Sequence, residues 1–380
     1  MIEQSSPPAY PPSVLSLHDL PALFQALHDS GYLVIGPRLS SNAIIYDELD
    51  TPDALPYGWC DSQSPGSYRL YKTDGHHVFG YTAGAQSWKR FLFLPKRRLW
   101  HATVEGGALT IPRVEEEIPK LAFLGVRACE LRAISIQDHV FLPSDRANQD
   151  YAARRAAALL IAVNCGRAGD TCFCVSMDAG PRAKSGFDLA LTEIVDDVGH
   201  EFLVEVGTQK GQTIAKCLPM RLATDLDIAS ADAITTQVAS SMGRTVDTSD
   251  LKELLQNSPE HPHWTEIASR CLGCANCTFV CPTCFCHSIE DVTDIECHNA
   301  ERIQRWDSCF TTDYSNLVGG AVRSGIHARY RQWLTHKLAN WIDQFGESGC
   351  VGCGRCITWC PAGIDFTEEI DMFRAILPGR

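Results

Sequence analysis

The sequence predicts an α+β protein in two parts: an N-terminal α/β domain, then a smaller helical domain organised by cysteine loops. Three observations predict this. First, residues 120–163 read as strand, turn, helix and strand, the pattern of an α/β unit with a partly parallel sheet. Second, one cysteine spacing occurs twice after residue 270. Third, the stretch NSPEHPH (257–263) interrupts the chain just before the first cysteine loop. The reading is therefore an arm over 1–13, an α/β domain over 14–248 and a cysteine-rich domain over 249–380.

In order along the chain, Leu17 to His28 has helical spacing, and Gly31 to Ile35 and Ala43 to Leu49 read as short strands. Lys120 to Val126 (KLAFLGV) is an apolar strand, Glu130 to Val140 a helix, and Leu159 to Val163 the next strand. Phe187 to Ile194 and Glu201 to Val206 read as further strands around a turn at Asp196 to Gly199. Residues 208–245 are more helical and polar. Asp250 to Gln256 reads as a helix with an aspartate cap, and Tyr314 to Phe345 as a long amphipathic helix.

The repeated spacing is C-x2-C-x2-C-x3-C-P. It runs Cys271, Cys274, Cys277, Cys281, Pro282, and again Cys350, Cys353, Cys356, Cys360, Pro361. This is the ligand spacing of ferredoxins that hold two [4Fe-4S] cubes, in which the fourth cysteine serves the other cube. The expected ligand sets are Cys271, Cys274, Cys277 and Cys360 for one cluster, and Cys350, Cys353, Cys356 and Cys281 for the other. Structural zinc, the rival, uses two separated pairs and needs only four ligands in all. Gly273 and Gly352 sit where the backbone must wrap closely around a bulky anion. Between the copies lie 68 residues, Pro282 to Gly349. Two cubane loops separated by helices resemble the helical ferredoxin domain of the succinate dehydrogenase iron–sulfur subunit.

Composition narrows the function. The chain has 380 residues, 21% charged and 45% hydrophobic, as in an ordinary globular protein. A net charge of −13 argues against a nucleic-acid partner. The longest apolar run, Ala156 to Val163, is too short to span a bilayer, so no membrane contact is expected. Eighteen cysteines in a chain this long, without an apolar signal core, point to metal or redox work in a reducing cytoplasm.

Four further cysteines form a candidate third site. Cys129 follows the strand 120–126, Cys165 follows Leu159 to Val163, and Cys172 and Cys174 lie in the loop GRAGDTCFC. Neighbouring strand ends converge on one edge of an open α/β sheet, where ligands bind. The four suit a third [4Fe-4S] cluster or a zinc ion, and ordinary buried thiols are the plain alternative. Cys284, Cys286, Cys297 and Cys309 are surplus to both cubes, and Cys60 and Cys217 read as structural. His76, His77, His261 and His263 lack metal-ligand spacing. The dense basic segment, Lys89, Arg90, Lys96, Arg97 and Arg98, is either a docking surface for an acidic partner or a cofactor phosphate, or a solvated loop.

No dinucleotide fingerprint, Walker A loop or nucleophile elbow is present, so no nicotinamide or flavin site is expected in this chain. Cubes with four protein ligands have no open iron, which makes the chain a wire for electrons.

The segments FLGVRACELRAI, NCGRAGDTCFCVSMDAGP, CLGCANCTFVCPTCFC, RWDSCFTTDYS and GCVGCGRCITWCPAGID occur in the order that resembles the beta subunit of soluble NAD(P)-linked nickel–iron hydrogenases, the sulfhydrogenases. The electron-entry subunit of anaerobic sulfite reductase is similar. The resemblance covers about residues 80–370. It implies an electron-transfer subunit that links an FAD/NAD(P)-binding reductase subunit to the small and large subunits of a nickel–iron hydrogenase. The alternative end partner is a sirohaem sulfite reductase subunit. A free-standing flavin enzyme, loosely similar to the flavin-bearing beta subunits of deazaflavin-reducing hydrogenases, and a structural zinc protein complete the readings.

Overall fold

A computed structural model describes residues 10–375 except 83, 106–107, 113–116, 197–198 and 297. Its centre is an eight-stranded mixed sheet. In spatial order the strands are Arg221–Leu222, Ser13–Ser16, His200–Val206, Leu189–Val195, Leu159–Val163, Leu121–Val126, Leu33–Ser40 and Ala43–Glu48. The four strands from Leu189–Val195 to Leu33–Ser40 are parallel. The remaining pairings are antiparallel. Parallel strands are covered on both faces, which is why Leu159–Val163 is an unbroken apolar run and buried throughout. Helix Leu20–Asp29 packs Leu23, Phe24 and Leu27 on one face. Helix Ala128–Phe141 packs Leu131, Ile134 and Phe141 on the other.

The expected hairpin flanks the turn at 196–199, of which residues 197–198 lie outside the described residues. The expected arm shortens, because Ser13 already pairs with Val204 in the sheet. Residues 1–9 lie outside the described residues.

The cysteine-rich part departs from an all-helical interval. His287–Thr293 and Asn299–Trp306 form a β-hairpin that pairs with strand Lys96–Glu105. This four-stranded sheet, completed by Ala108–Thr110, draws on both sides of residue 248. The basic segment is accordingly split between a short helix, Lys89–Leu92, and the strand that starts at Lys96, rather than forming a loop. Lys89 is buried, with its ammonium over the Trp306 ring. Arg97 faces Asp150, and Arg98 faces Glu301.

The helix expected from Tyr314 begins only at Ile326. Gly319, Gly320 and Gly325 precede it, and Gly320 turns a small hairpin with φ +106°. From Ile326 the helix runs to Phe345 through one π turn, His336–Asn340, a distortion that frequently marks functional sites. The expected aspartate cap also changes. Asp250 makes no side-chain cap bond and instead accepts from Arg374, 2.7 Å away. Helices Leu251–Gln256, His263–Arg270, Ile326–Thr335 and Phe366–Ala375 share a core of Leu254, Leu255, Trp264, Trp333, Ile370 and Phe373.

Candidate metal centres

Helix His263–Arg270 ends at Cys271, and the loop after it wraps tightly. Gly273 and Ala275 both take left-handed backbone, φ +62° and +65°. A short helix, Asn276–Phe279, then carries Cys277 inward. Cys271, Cys274 and Cys277 surround a hollow. Cys360, from the second motif, closes it. Its walls are apolar, with Phe310, Tyr330, Trp333 and Phe366. Amides already point at the sulfurs: Gly273 N–H donates to Cys271 Sγ at 3.4 Å, and Ile364 N–H to Cys360 Sγ at 3.4 Å.

The second loop repeats the turn, with Gly352 at φ +63° and Gly354 at φ +73°. Cys350, Cys353, Cys356 and Cys281 line a second hollow. Cys356 lines both hollows, as do Trp333 and Phe366, so a single wall separates them. This hollow has a buried cation that the first lacks among its lining residues. Lys337, on the π turn, donates from Nζ to Thr283 Oγ1 at 2.6 Å, and Thr283 Oγ1 lies 3.2 Å from Cys281 Sγ. Burial works against the Lys337 charge, but the Cys281, Cys284 and Cys350 thiols outweigh it and its pKa is raised. Lys89 adds a second buried ammonium, donating to the carbonyls of Cys281 and Cys284 at 3.0 and 3.1 Å.

The third cysteine set lies directly behind the second hollow. Cys129 sits in the first turn of helix Ala128–Phe141, and Cys165 just beyond strand Leu159–Val163. Cys129, Cys174 and Cys353 pack in one buried cluster. Phe173, between Cys172 and Cys174, donates its N–H to Gly352 O at 2.8 Å and walls the second hollow. Burial, then Cys165 and Cys353, push the Cys172 thiol up to about 12. The buried Arg127 guanidinium offsets part of the same rise at Cys165. Burial raises the Cys172, Cys277 and Cys356 thiols, one in each set, so a bound cation would stabilise their thiolates, whereas Cys284, Lys337 and Thr283 hold the Cys281 thiol well below its usual value.

Spacing separates a cube from a single ion. Tetrahedral zinc at a Zn–S distance of ~2.3 Å needs sulfurs about 3.8 Å apart. Among the described residues, the one group of three or more ligand atoms within 4.8 Å of each other is His263, Glu266 and Glu369. Among the described residues, no three thiols of a cysteine set come within that range. The His263 group is an ion-pair network. His263 Nε2 meets Glu369 at 2.8 Å, and Arg270 holds both Glu266 and Glu369.

Residues 270–364 match the model of a 4Fe-4S dicluster domain. Over 263 residues the chain is 32% identical to sulfhydrogenase 2 subunit beta of Pyrococcus furiosus, covering 67% of this chain and 74% of that protein. The chain belongs to the sulfhydrogenase beta-subunit family. No solved structure matches. Membership of this family, together with the dicluster domain, makes the chain an iron–sulfur protein of the hydrogenase-associated, electron-transferring kind. Among the described residues no helix is long and apolar enough to cross a membrane.

Several residues around the hollows of this beta-subunit family member carry no local sequence signal. Lys337 sits inside a helical pattern, and Lys89 inside a basic run that reads as surface. Arg355, in the second motif, is fully buried against Glu130 at 2.5 Å, and its guanidinium also donates to Gly84 O and Gln86 O. Glu130 in turn accepts from Trp88 Nε1 and Tyr46 Oη. A charged residue between two motif cysteines was the available clue to Arg355. Cys297, surplus in the sequence, lies outside the described residues.

Proposed function

We propose that this chain is the wire of a sulfhydrogenase, carrying single electrons through three [4Fe-4S] clusters in a fixed order. Cys271, Cys274, Cys277 and Cys360 would hold the first, and Cys281, Cys350, Cys353 and Cys356 the second. Cys129, Cys165, Cys172 and Cys174 would hold the third. Such clusters, when bound, accept and release one electron at a time. The observation that carries the reading is the sharing of walls. Cys356 lines both motif hollows, and Cys353 packs with Cys129 and Cys174. The second cluster is therefore the middle station, and no electron crosses the chain without it.

The residues fit the groups. Left-handed turns at Gly273, Ala275, Gly352 and Gly354 aim amides inward, and Lys337, Lys89, Arg355 and Arg127 supply cations beside the inner thiolates. The two-cluster part is a helical ferredoxin-like module with an inserted hairpin, His287–Trp306. The partners proposed are an FAD/NAD(P)-binding reductase subunit on one side and the hydrogenase small and large subunits on the other, in the cytoplasm. The match to a sulfhydrogenase subunit ranks this above the sulfite reductase reading.

The test is Cys350→Ala in the assembled complex. NAD(P)-linked hydrogen turnover should fall at least a hundredfold, with iron down by about four per chain. Dye-linked activity of the catalytic partner should survive. Loss of both activities in an intact complex contradicts a wire.

A further inference from the structure

Beside the second hollow lies a cavity of about 200 Å³ that none of the three clusters uses. Its lining includes Cys284, Cys286, Cys309, Tyr314, His336 and Lys337. The three cysteines are half-buried and free. Their placement follows from the hairpin. Cys286 immediately precedes strand His287–Thr293, and its carbonyl accepts from Asp307 N–H at 2.9 Å, which brings the returning strand and Cys309 alongside.

The geometry differs from that of the cluster sets. Motif cysteines face one another across a hollow, whereas Cys286 and Cys309 stand together on the wall of this side cavity, brought alongside by the backbone bond between Asp307 and Cys286. The Cys309 side chain and amide and the Tyr314 hydroxyl pull the Cys286 thiol down to about 6. Neighbouring thiols can bridge, and a thiolate is the reactive form. The path to the wire is short: Cys284 lines the same cavity, and its neighbour Thr283 puts Oγ1 3.2 Å from the Sγ of Cys281, the fourth cysteine of the first motif.

We propose that Cys286 and Cys309 form a redox-active dithiol–disulfide couple that exchanges electrons with the second cluster. On oxidation an S–S bond forms between the Cys286 thiolate sulfur and the Cys309 sulfur, and the Cys309 S–H bond breaks. The two electrons leave singly to oxidised second cluster, through Cys284 and Cys281, and the one proton leaves to solvent past the partly exposed Tyr314. Reduction reverses each step, with reduced second cluster as the donor. The couple gives a one-electron wire a two-electron store. The electron route rests on the function proposed above, but the thiol chemistry does not.

The experiment uses the iron-loaded complex, prepared anaerobically and poised either with dithionite or with an oxidising mediator dye. It is then alkylated with iodoacetamide and digested for mass spectrometry. The oxidised sample should yield a Cys286–Cys309 linked peptide two hydrogens lighter than the free pair, and dithionite should abolish it. Cys309→Ser should keep its iron and its paramagnetic resonance spectrum, and reductive titration should consume two fewer electrons per chain. Alkylation of both thiols in the oxidised sample overturns the proposal, as does loss of iron in Cys309→Ser, which would make Cys309 a ligand. Because the dye oxidises thiols directly, failure of the wire shows separately, as clusters that do not reduce in the same samples.

Discussion

The two cysteine loops are the same turn placed in two different surroundings. Both put left-handed residues at matching positions, Gly273 and Ala275 in one, Gly352 and Gly354 in the other. The first lies near the surface, with Cys274 exposed and Leu272 67% exposed. The second is packed in, with Val351 2% and Cys353 9% exposed. A Cβ on Gly273 would meet only the Ile326 side chain, at 3.6 Å. On Gly352 it would lie 2.6 Å from the Phe173 backbone, and on Gly354 2.4 Å from Thr171 O. Cysteine spacing sets how the loop turns, and the neighbouring chain sets how deeply that turn is buried.

The comparison breaks most strongly at the residue before each third cysteine, Asn276 in one loop and Arg355 in the other. Arg355→Met leaves Glu130 buried without its cation and strands two carbonyls. The expected loss is about 3–5 kcal/mol, read by thermal or denaturant unfolding of the iron-loaded chain. Asn276→Met removes one bond to Trp359 O and should cost about 1 kcal/mol. Equal losses at the two positions would mean that the loops are equally embedded.

The glycines sharpen the same contrast. Gly354→Ala combines left-handed strain with a clash against backbone and should cost about 3–5 kcal/mol and much of the bound iron. Gly273→Ala carries only the strain, ~1–2 kcal/mol. Unfolding midpoints and iron content for the pair decide the matter, and a milder Gly354 variant would contradict the packing described.

A separate effect is on potential. A cation beside a cluster stabilises its reduced form. Lys337→Met should therefore lower the second cluster's potential by on the order of 100 mV and leave the first unchanged. Redox titration followed by paramagnetic resonance separates the two. A uniform shift would remove the distinction between a bare outer hollow and a cation-lined inner one.

Much of this was legible in the residues. The unbroken apolar runs Leu121–Val126 and Leu159–Val163 belong to covered parallel strands, and the sequence shows them nearly to the residue. Cysteine spacing, with the rule that a fourth cysteine serves the other cube, pairs the residues that line each hollow. Cys129 and Cys165 follow the ends of adjacent parallel strands, as the two apolar runs imply. What stayed hidden depends on distant contacts. The hairpin His287–Trp306 has exposed residues on much of its first strand, so its alternation is weak. The basic run around Lys89 gives no sign that one ammonium lies buried under Trp306, because the partner comes more than two hundred residues later. Lys337 faces a cluster hollow only because its helix adds a π turn there, which no local pattern announces.

Iron and acid-labile sulfide per chain, measured on anaerobic protein together with zinc, test the central claim most directly. Three cubes held by the three proposed cysteine sets predict about twelve irons, about twelve sulfides and no stoichiometric zinc. Eight irons, or eight with one zinc, would contradict a third cluster behind the second hollow, and a folded, iron-free chain would contradict the wire.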